Sequence, residues 1–152
     1  MTPANLIANA IPLLDVSPYL AGERAALETL AAELRWAFEN VGFYYLRGHG
    51  IDPSLIDATY AAAARFHAQP MENKLALRTD EHNIGYLAMA SGQWANRRRS
   101  RNDAYFLRRE RRPDDPDVRA NRCFHAMNRW PDGVPGFRDT ALAYMRALER
   151  LC

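Results

Sequence analysis

The sequence is poor in cysteine and has no long apolar run. Its only two cysteines, Cys123 and Cys152, belong to no Cys-x-x-Cys or Cys/His spacing that could hold zinc. That excludes a disulfide-stapled scaffold and a structural zinc module, and a reducing, cytoplasmic setting is expected. No apolar stretch reaches the ~18 residues of a membrane helix. The opening MTPANLIANAIPLL has no basic segment, and Pro12 interrupts its apolar run, so no secretory signal is read there.

What is present is ordinary globular material. Of 152 residues, 48% are hydrophobic and 25% charged, which argues against wholesale disorder. A chain of this size hides about 69% of its unfolded surface on folding, enough for one core. Net charge is only +2, but the charge is uneven. Eight arginines lie between Arg97 and Arg112 against two acids, Asp103 and Glu110, and the rest of the chain is net acidic.

Hydrophobic periodicity orders the elements. Ile11 to Val16 reads as a strand, confined by Pro12 to an edge or a strand start, and Ser17-Pro18 reads as a turn. From about Glu23 to Asn40, Leu27, Leu30, Ala31, Leu34, Ala37, Phe38 and Val41 follow helical spacing, with Gly42 as the left-handed stop. Phe43 to Leu46 reads as a second strand. Asp52-Pro53 supplies an N-cap and a first-turn proline for a helix to Ala68, its inner face Ile56, Tyr60, Ala63 and Phe66. Met71 to Lys74 adds a short helical turn. Strands are expected at Ile84 to Met89 and Asp103 to Leu107, and a loop at Pro113 to Asp117. Pro135-Gly136 opens a last helix through Phe137, Ala141, Tyr144, Met145, Leu148 and Leu151. That helix has no stop signal, so the sequence is expected to be truncated within it.

In this order, IPLLDVS (11–17), GFYYL (42–46), His49-Gly50-Ile51, Phe66 and PMENK (70–74) resemble one family. Gly85-Tyr86, DAYF (103–106), Asn128-Arg129-Trp130-Pro131 and PGFR (135–138) continue the match. The family is that of the isopenicillin N synthase-like, non-haem Fe(II) oxygenases, most of them 2-oxoglutarate-dependent. The resemblance covers residues 11–152 and lies in the family's N-terminal region. It implies an α+β fold of amphipathic helices packed on a few short strands, with residues 1–10 as a tail. It also implies a partner, a C-terminal jelly-roll domain absent from this chain. For the complete protein it implies Fe(II), 2-oxoglutarate and a small organic substrate.

The family's iron is held by His-x-Asp or His-x-Glu, a distal histidine and, for the cosubstrate, Arg-x-Ser. None of His49, His67, His82 and His125 has an acid two positions on. Arg98-Arg99-Ser100 precedes any possible second metal histidine. The metal triad is absent, and no cofactor is expected on this chain alone. The bland reading takes His49 as a turn residue, His67 and His125 as helix-surface or interface residues, and His82 as a loop residue.

The arginine block, interleaved with Trp94, Tyr105 and Phe106, has three readings. It could contact nucleic acid, since arginines neutralise phosphates and aromatics stack on bases. It could instead attract a carboxylate-bearing substrate, or form a solvated or domain-facing surface. No recognised nucleic-acid module is visible. A stand-alone module using the Arg97 to Arg112 block on an acidic partner or nucleic acid is the alternative to the oxygenase reading.

By resemblance, an arginine just before Gly-Tyr grips the substrate carboxylate in the penicillin-forming enzyme. Asn83 stands there in this chain, and a neutral amide cannot make that bidentate contact, which argues against isopenicillin N formation. Asn83, Tyr86, Arg99, Arg101 and Phe106 are the expected substrate-wall contacts, although packing is the plainer role for Tyr86. Asn128 with Trp130-Pro131 reads as a loop anchor, and Arg129 replaces the glutamine common in bacterial members. Cys123 and Cys152 read as ordinary thiols. Apolar surface left open, above all on the terminal helix, predicts a marginally stable or self-associating chain.

Overall fold

A computed structural model of the chain describes residues 11–89 and 102–151. Arg97 to Arg99, Arg101 and Trp94 lie outside them, as do the 1–10 tail and Cys152. The described residues fall into two compact units, divided between Ile51 and Asp52.

In the first unit, β1 (Leu13–Asp15) leads into α1 (Ser17–Leu20), α2 (Ala26–Asn40) and β2 (Tyr45–Arg47). The two strands pair in parallel, Leu13 opposite Tyr45 and Leu14 opposite Leu46. Alternation sends Leu14 inward against Leu30 of α2, with Val16, Leu34, Tyr44 and Leu46 completing this core. The stop after α2 is as expected. Gly42 takes φ 93° and its N–H reaches back to the Ala37 carbonyl at 2.8 Å. Two expectations are corrected. Ser17-Pro18 starts a helical turn, because Pro18 is pre-set for a first-turn position. Leu27 and Phe38 are exposed, since it is Leu30 and Leu34 that pack into the core with the short sheet, while Phe38 keeps an edge contact with the Tyr44 ring.

The second unit holds α3 (Pro53–His67), α4 (Met71–Leu75), β3 (Gly85–Leu87), β4 (Ala104–Phe106), α5 (Pro116–Arg119) and α6 (Phe137–Glu149). Asp52 caps α3, its carboxylate accepting the Ser54 N–H at 2.8 Å, with Pro53 in the first turn. β3 and β4 pair antiparallel, Gly85 opposite Phe106 and Tyr86 opposite Tyr105. Phe66, fully buried, is the centre of the core. Its ring lies 4.5 Å from that of Tyr105 and 5.8 Å from those of Tyr86 and Phe137. Ala62, Val134 and Trp130 close around it.

Here too one helix face is corrected. Tyr60 is 74% exposed, and the inner stripe of α3 runs through Thr59, Ala62 and Phe66 instead. Both stripes have helical spacing, and packing against α6 and β4 selects the second. The segment after Pro113 turns helical at α5 because Asp115 caps it, accepting the Asp117 N–H at 2.9 Å. The architecture is α+β, with six helices and four short strands among the described residues. No described helix is long and apolar enough to cross a membrane.

Candidate functional site

The chain around Asn83 forms a tight turn whose shape follows from Asp80. One oxygen of that carboxylate accepts the N–H groups of His82 (3.0 Å) and Ile84 (3.2 Å), and the Asp80 carbonyl accepts the Asn83 N–H. This local bonding tolerates a left-handed residue, and Asn83 takes φ 55°. Below the tip, Tyr86 N–H donates to the Leu77 carbonyl at 2.7 Å and Thr79 N–H to the Tyr86 carbonyl at 2.9 Å. Gly85 is required at φ 109°, because a Cβ there would collide with the Leu77 carbonyl oxygen.

Arg129 fastens this turn from outside. Its Nη2 donates to the carbonyls of Ile84 (2.9 Å), Arg78 and, more weakly, Leu77 (3.4 Å), with the Asp80 carboxylate 3.9 Å away. The Tyr105 hydroxyl donates to the Arg129 carbonyl at 2.6 Å. Burial pushes the Tyr105 hydroxyl up to about 12, the nearby guanidinium opposing the shift.

Behind β3 lies a polar cluster set in the aromatic core. The Tyr86 hydroxyl donates to Asp103 Oδ2 at 2.8 Å, and His67 Nδ1 lies 3.2 Å from the same oxygen. The hydrogen bond from Tyr86 holds the Asp103 carboxyl below its usual range; burial opposes this and His67 adds to it. Burial, reinforced by Asp103, pushes the Tyr86 hydroxyl up. Lys74, itself buried, donates to the His67 carbonyl at 2.9 Å and lies 5.5 Å from the Tyr86 ring centre.

A cleft of about 210 Å³ opens between α3 and α6, walled by Ala62, Phe66, Tyr105, Phe137, Ala141 and Met145. Its lining and the expected substrate contacts do not coincide. Asn83 stands at the turn tip, Tyr86 is 1% exposed with its hydroxyl committed to Asp103, and Phe106 sits opposite Gly85 in β4. Arg99 and Arg101 lie outside the described residues. Sequence reasoning did not single out Lys74 or Asp103, and took His67 for a helix-surface or interface residue. One signal was available: Asp103 and Glu110 are the two acids inside the arginine block, and each accepts a hydrogen bond from a residue far along the chain.

Asn128 is the second such anchor. It is buried, accepts the Arg108 N–H at 2.8 Å, and donates to the Arg108 carbonyl and to Glu110, each at 2.8 Å. Trp130 packs against Phe137, ring centres 6.3 Å apart, with the Arg138 guanidinium over its face. Arg138 also pairs with Glu110 at 3.0 Å.

The described arginines of the block mostly have partners within the chain. Arg111 meets Asp115 at 2.8 Å and Asp117 at 3.7 Å, Arg112 meets Asp114 at 2.9 Å, and Arg109 meets Glu149 at 3.7 Å. Arg108 lies over the Phe124 ring.

The histidines are scattered. His49 accepts the Ile51 N–H, His82 is buried with Nε2 on Asn121, and His125 lies against the Cys123 carbonyl. Among the described residues, no three His, Cys, Asp or Glu side chains gather where they could hold a metal ion.

Known proteins supply the context. The chain is 32% identical over 148 residues to the 2-oxoglutarate-dependent dioxygenase citB of Monascus ruber, covering 93% of this chain and 45% of that protein. It is 30% identical over 148 residues to the 2-oxoglutarate-Fe(II) type oxidoreductase hxnY of Emericella nidulans, covering 93% and 42%. A full-length Neurospora crassa protein, solved in complex with alpha-KG, superposes with a TM-score of 0.73 at 25% identity, over 99% of this chain and 45% of that one. The chain thus spans less than half the length of these relatives. The family described as non-haem dioxygenase in morphine synthesis N-terminal matches residues 11–133. With that match over most of its length, the chain belongs to the non-haem dioxygenase N-terminal family.

Proposed function

We propose that this chain is the substrate-flanking N-terminal part of an Fe(II)/2-oxoglutarate-dependent oxygenase acting on a small organic substrate in the cytoplasm. The observation that carries the reading is coverage. Nearly all of this chain matches less than half of relatives named as 2-oxoglutarate dioxygenases. The iron and the cosubstrate then belong to a C-terminal jelly-roll half, a reading supported by the lack of any gathering of three His, Cys, Asp or Glu side chains among the described residues. Asn83, Tyr86, Arg99, Arg101 and Phe106 are the proposed contributors to the substrate wall. Asn83 has the most support, because its side-chain amide has no partner among the described residues and stands at a held turn. An amide there favours a neutral hydrogen-bonding group over a carboxylate.

The test joins this chain to whatever coding sequence follows the Cys152 codon. Succinate formation from 2-oxoglutarate, dependent on added Fe(II), is expected from the joined protein and not from residues 1–152 alone. The proposal is lost if no downstream frame carries His-x-Asp or His-x-Glu, a distal histidine and Arg-x-Ser.

A further inference from the structure

Arg129 stands between two anchored neighbours. Asn128 is tied to Arg108, and the ring of Trp130 lies on Phe137. The Arg129 carbonyl is itself held by Tyr105. Its backbone is therefore fixed before the side chain does anything. From that base the guanidinium reaches across about fifty residues of sequence to the carbonyls of Leu77, Arg78 and Ile84. These lie on both arms of the turn that carries Asn83 at its tip.

Every one of those contacts runs through a single nitrogen, Nη2, while the buried Nε has no partner. Two hydrogens on Nη2 serve three carbonyls, so the Leu77 contact, at 3.4 Å, is the weak one. The close fit is mutual. A Cβ on Gly85 would come within 2.6 Å of Nη2, so glycine at 85 and arginine at 129 occupy the same space in complementary fashion.

We propose that Arg129 is a positioning residue for Asn83. It closes the Leu77–Tyr86 turn and holds the left-handed tip, so that the Asn83 amide is presented in one orientation. This rests on the reading of Asn83 as a substrate contact. An unclamped tip would sample other backbone conformations and lose discrimination between hydrogen-bonding groups, because ordering it on binding would cost affinity. Arginine at position 129 thereby acquires a role. Charge-assisted bonds to carbonyls are stronger than neutral ones.

Amide hydrogen exchange on the chain itself, read by NMR for wild type, R129M, R129K and N83A, tests the clamp. R129M is expected to speed exchange at Asn83, Ile84 and Tyr86 at least tenfold, leave α3 and α6 unchanged, and shift the Asn83 Cα signal away from its left-handed position. R129K, which keeps a cationic donor about one bond shorter, is expected to restore part of the protection. N83A, whose alanine is strained at φ 55°, is expected to speed exchange in the turn by far less than R129M. Two results overturn the proposal: R129M exchange that rises equally in α3 and α6, which makes Arg129 a general fold-holder, or exchange in the turn that does not change. The reading of Asn83 fails separately, if N83A in the completed enzyme leaves the substrate KM untouched while the clamp is intact.

Discussion

The Tyr86 hydroxyl and the Asp103 carboxylate are joined by a 2.8 Å hydrogen bond that ties β3 to the first residues leading into β4. Tyr86 is almost fully buried, so this bond directs the one polar atom of a core ring to the one acid that can take it. Removing it leaves Asp103 with His67 and its own backbone N–H.

Y86F is expected to cost about 1–2 kcal/mol at neutral pH, the range for a bond to a charged acceptor that is partly open to solvent. It also removes the largest cause of the lowered Asp103 pKa. A carboxyl lowered in the folded state adds stability that is present above its ordinary value of 3.8 and lost as pH falls through the lowered one. Urea titrations of wild type should therefore weaken below about pH 4, and D103N should flatten part of that acid limb. An unchanged acid limb in D103N would remove Asp103 from the account. For Tyr86 the sign reverses, its contribution fading as pH rises above its ordinary value of 10 through the raised one.

Two glycines with positive φ separate backbone strain from crowding. At Gly42 (φ 93°) an added methyl group would have nothing within 4 Å, whereas at Gly85 (φ 109°) it would collide with the Leu77 oxygen. G42A is expected to cost about 1 kcal/mol, from strain alone. G85A adds overpacking and should cost on the order of 3 kcal/mol or more. Equal losses in thermal melts of the two variants would contradict the crowding.

Asn128 satisfies both backbone groups of Arg108. N128A leaves these half-buried groups without a protein partner, at about 2–3 kcal/mol. Chemical denaturation checks the size, and a loss under about 0.5 kcal/mol would show that solvent takes over both bonds.

The isolated chain exposes Leu13, Leu27, Phe38, Phe43, Tyr45 and Tyr60, each more than half accessible. Sedimentation velocity is expected to show a mean sedimentation coefficient that rises with concentration. A sharp, concentration-independent melt of a monomer would count against it.

The elements written by neighbours in sequence were legible. Asp52-Pro53 caps α3 through a bond spanning two residues, and Gly42 ends α2 through one spanning five. The inner face of α3 was not, because Tyr60 and Thr59 both fit the helical period and only β4 and α6 choose between them. At the candidate site, Asn83 could be picked out by its place before Gly85-Tyr86, but neither its turn nor the clamp on that turn could. Arg129 and Ile84 are separated by 45 residues, and Tyr86 and Asp103 by 17. Such pairs leave no periodic trace in one sequence, beyond the oddity of two acids in a basic run.

The three bonds from Asn128 to Arg108 and Glu110 form the neck of an excursion whose far end, at Pro113 and Asp114, is exposed. A loop closed at its neck passes little of its own length change to the body, and each doubling costs only about 0.6 kcal/mol in closure entropy. That tip is therefore the place in the second unit to graft a fluorophore-bearing peptide or an affinity tag. The aromatic core around Phe66 would be shielded from the insertion by an amide that imitates a strand.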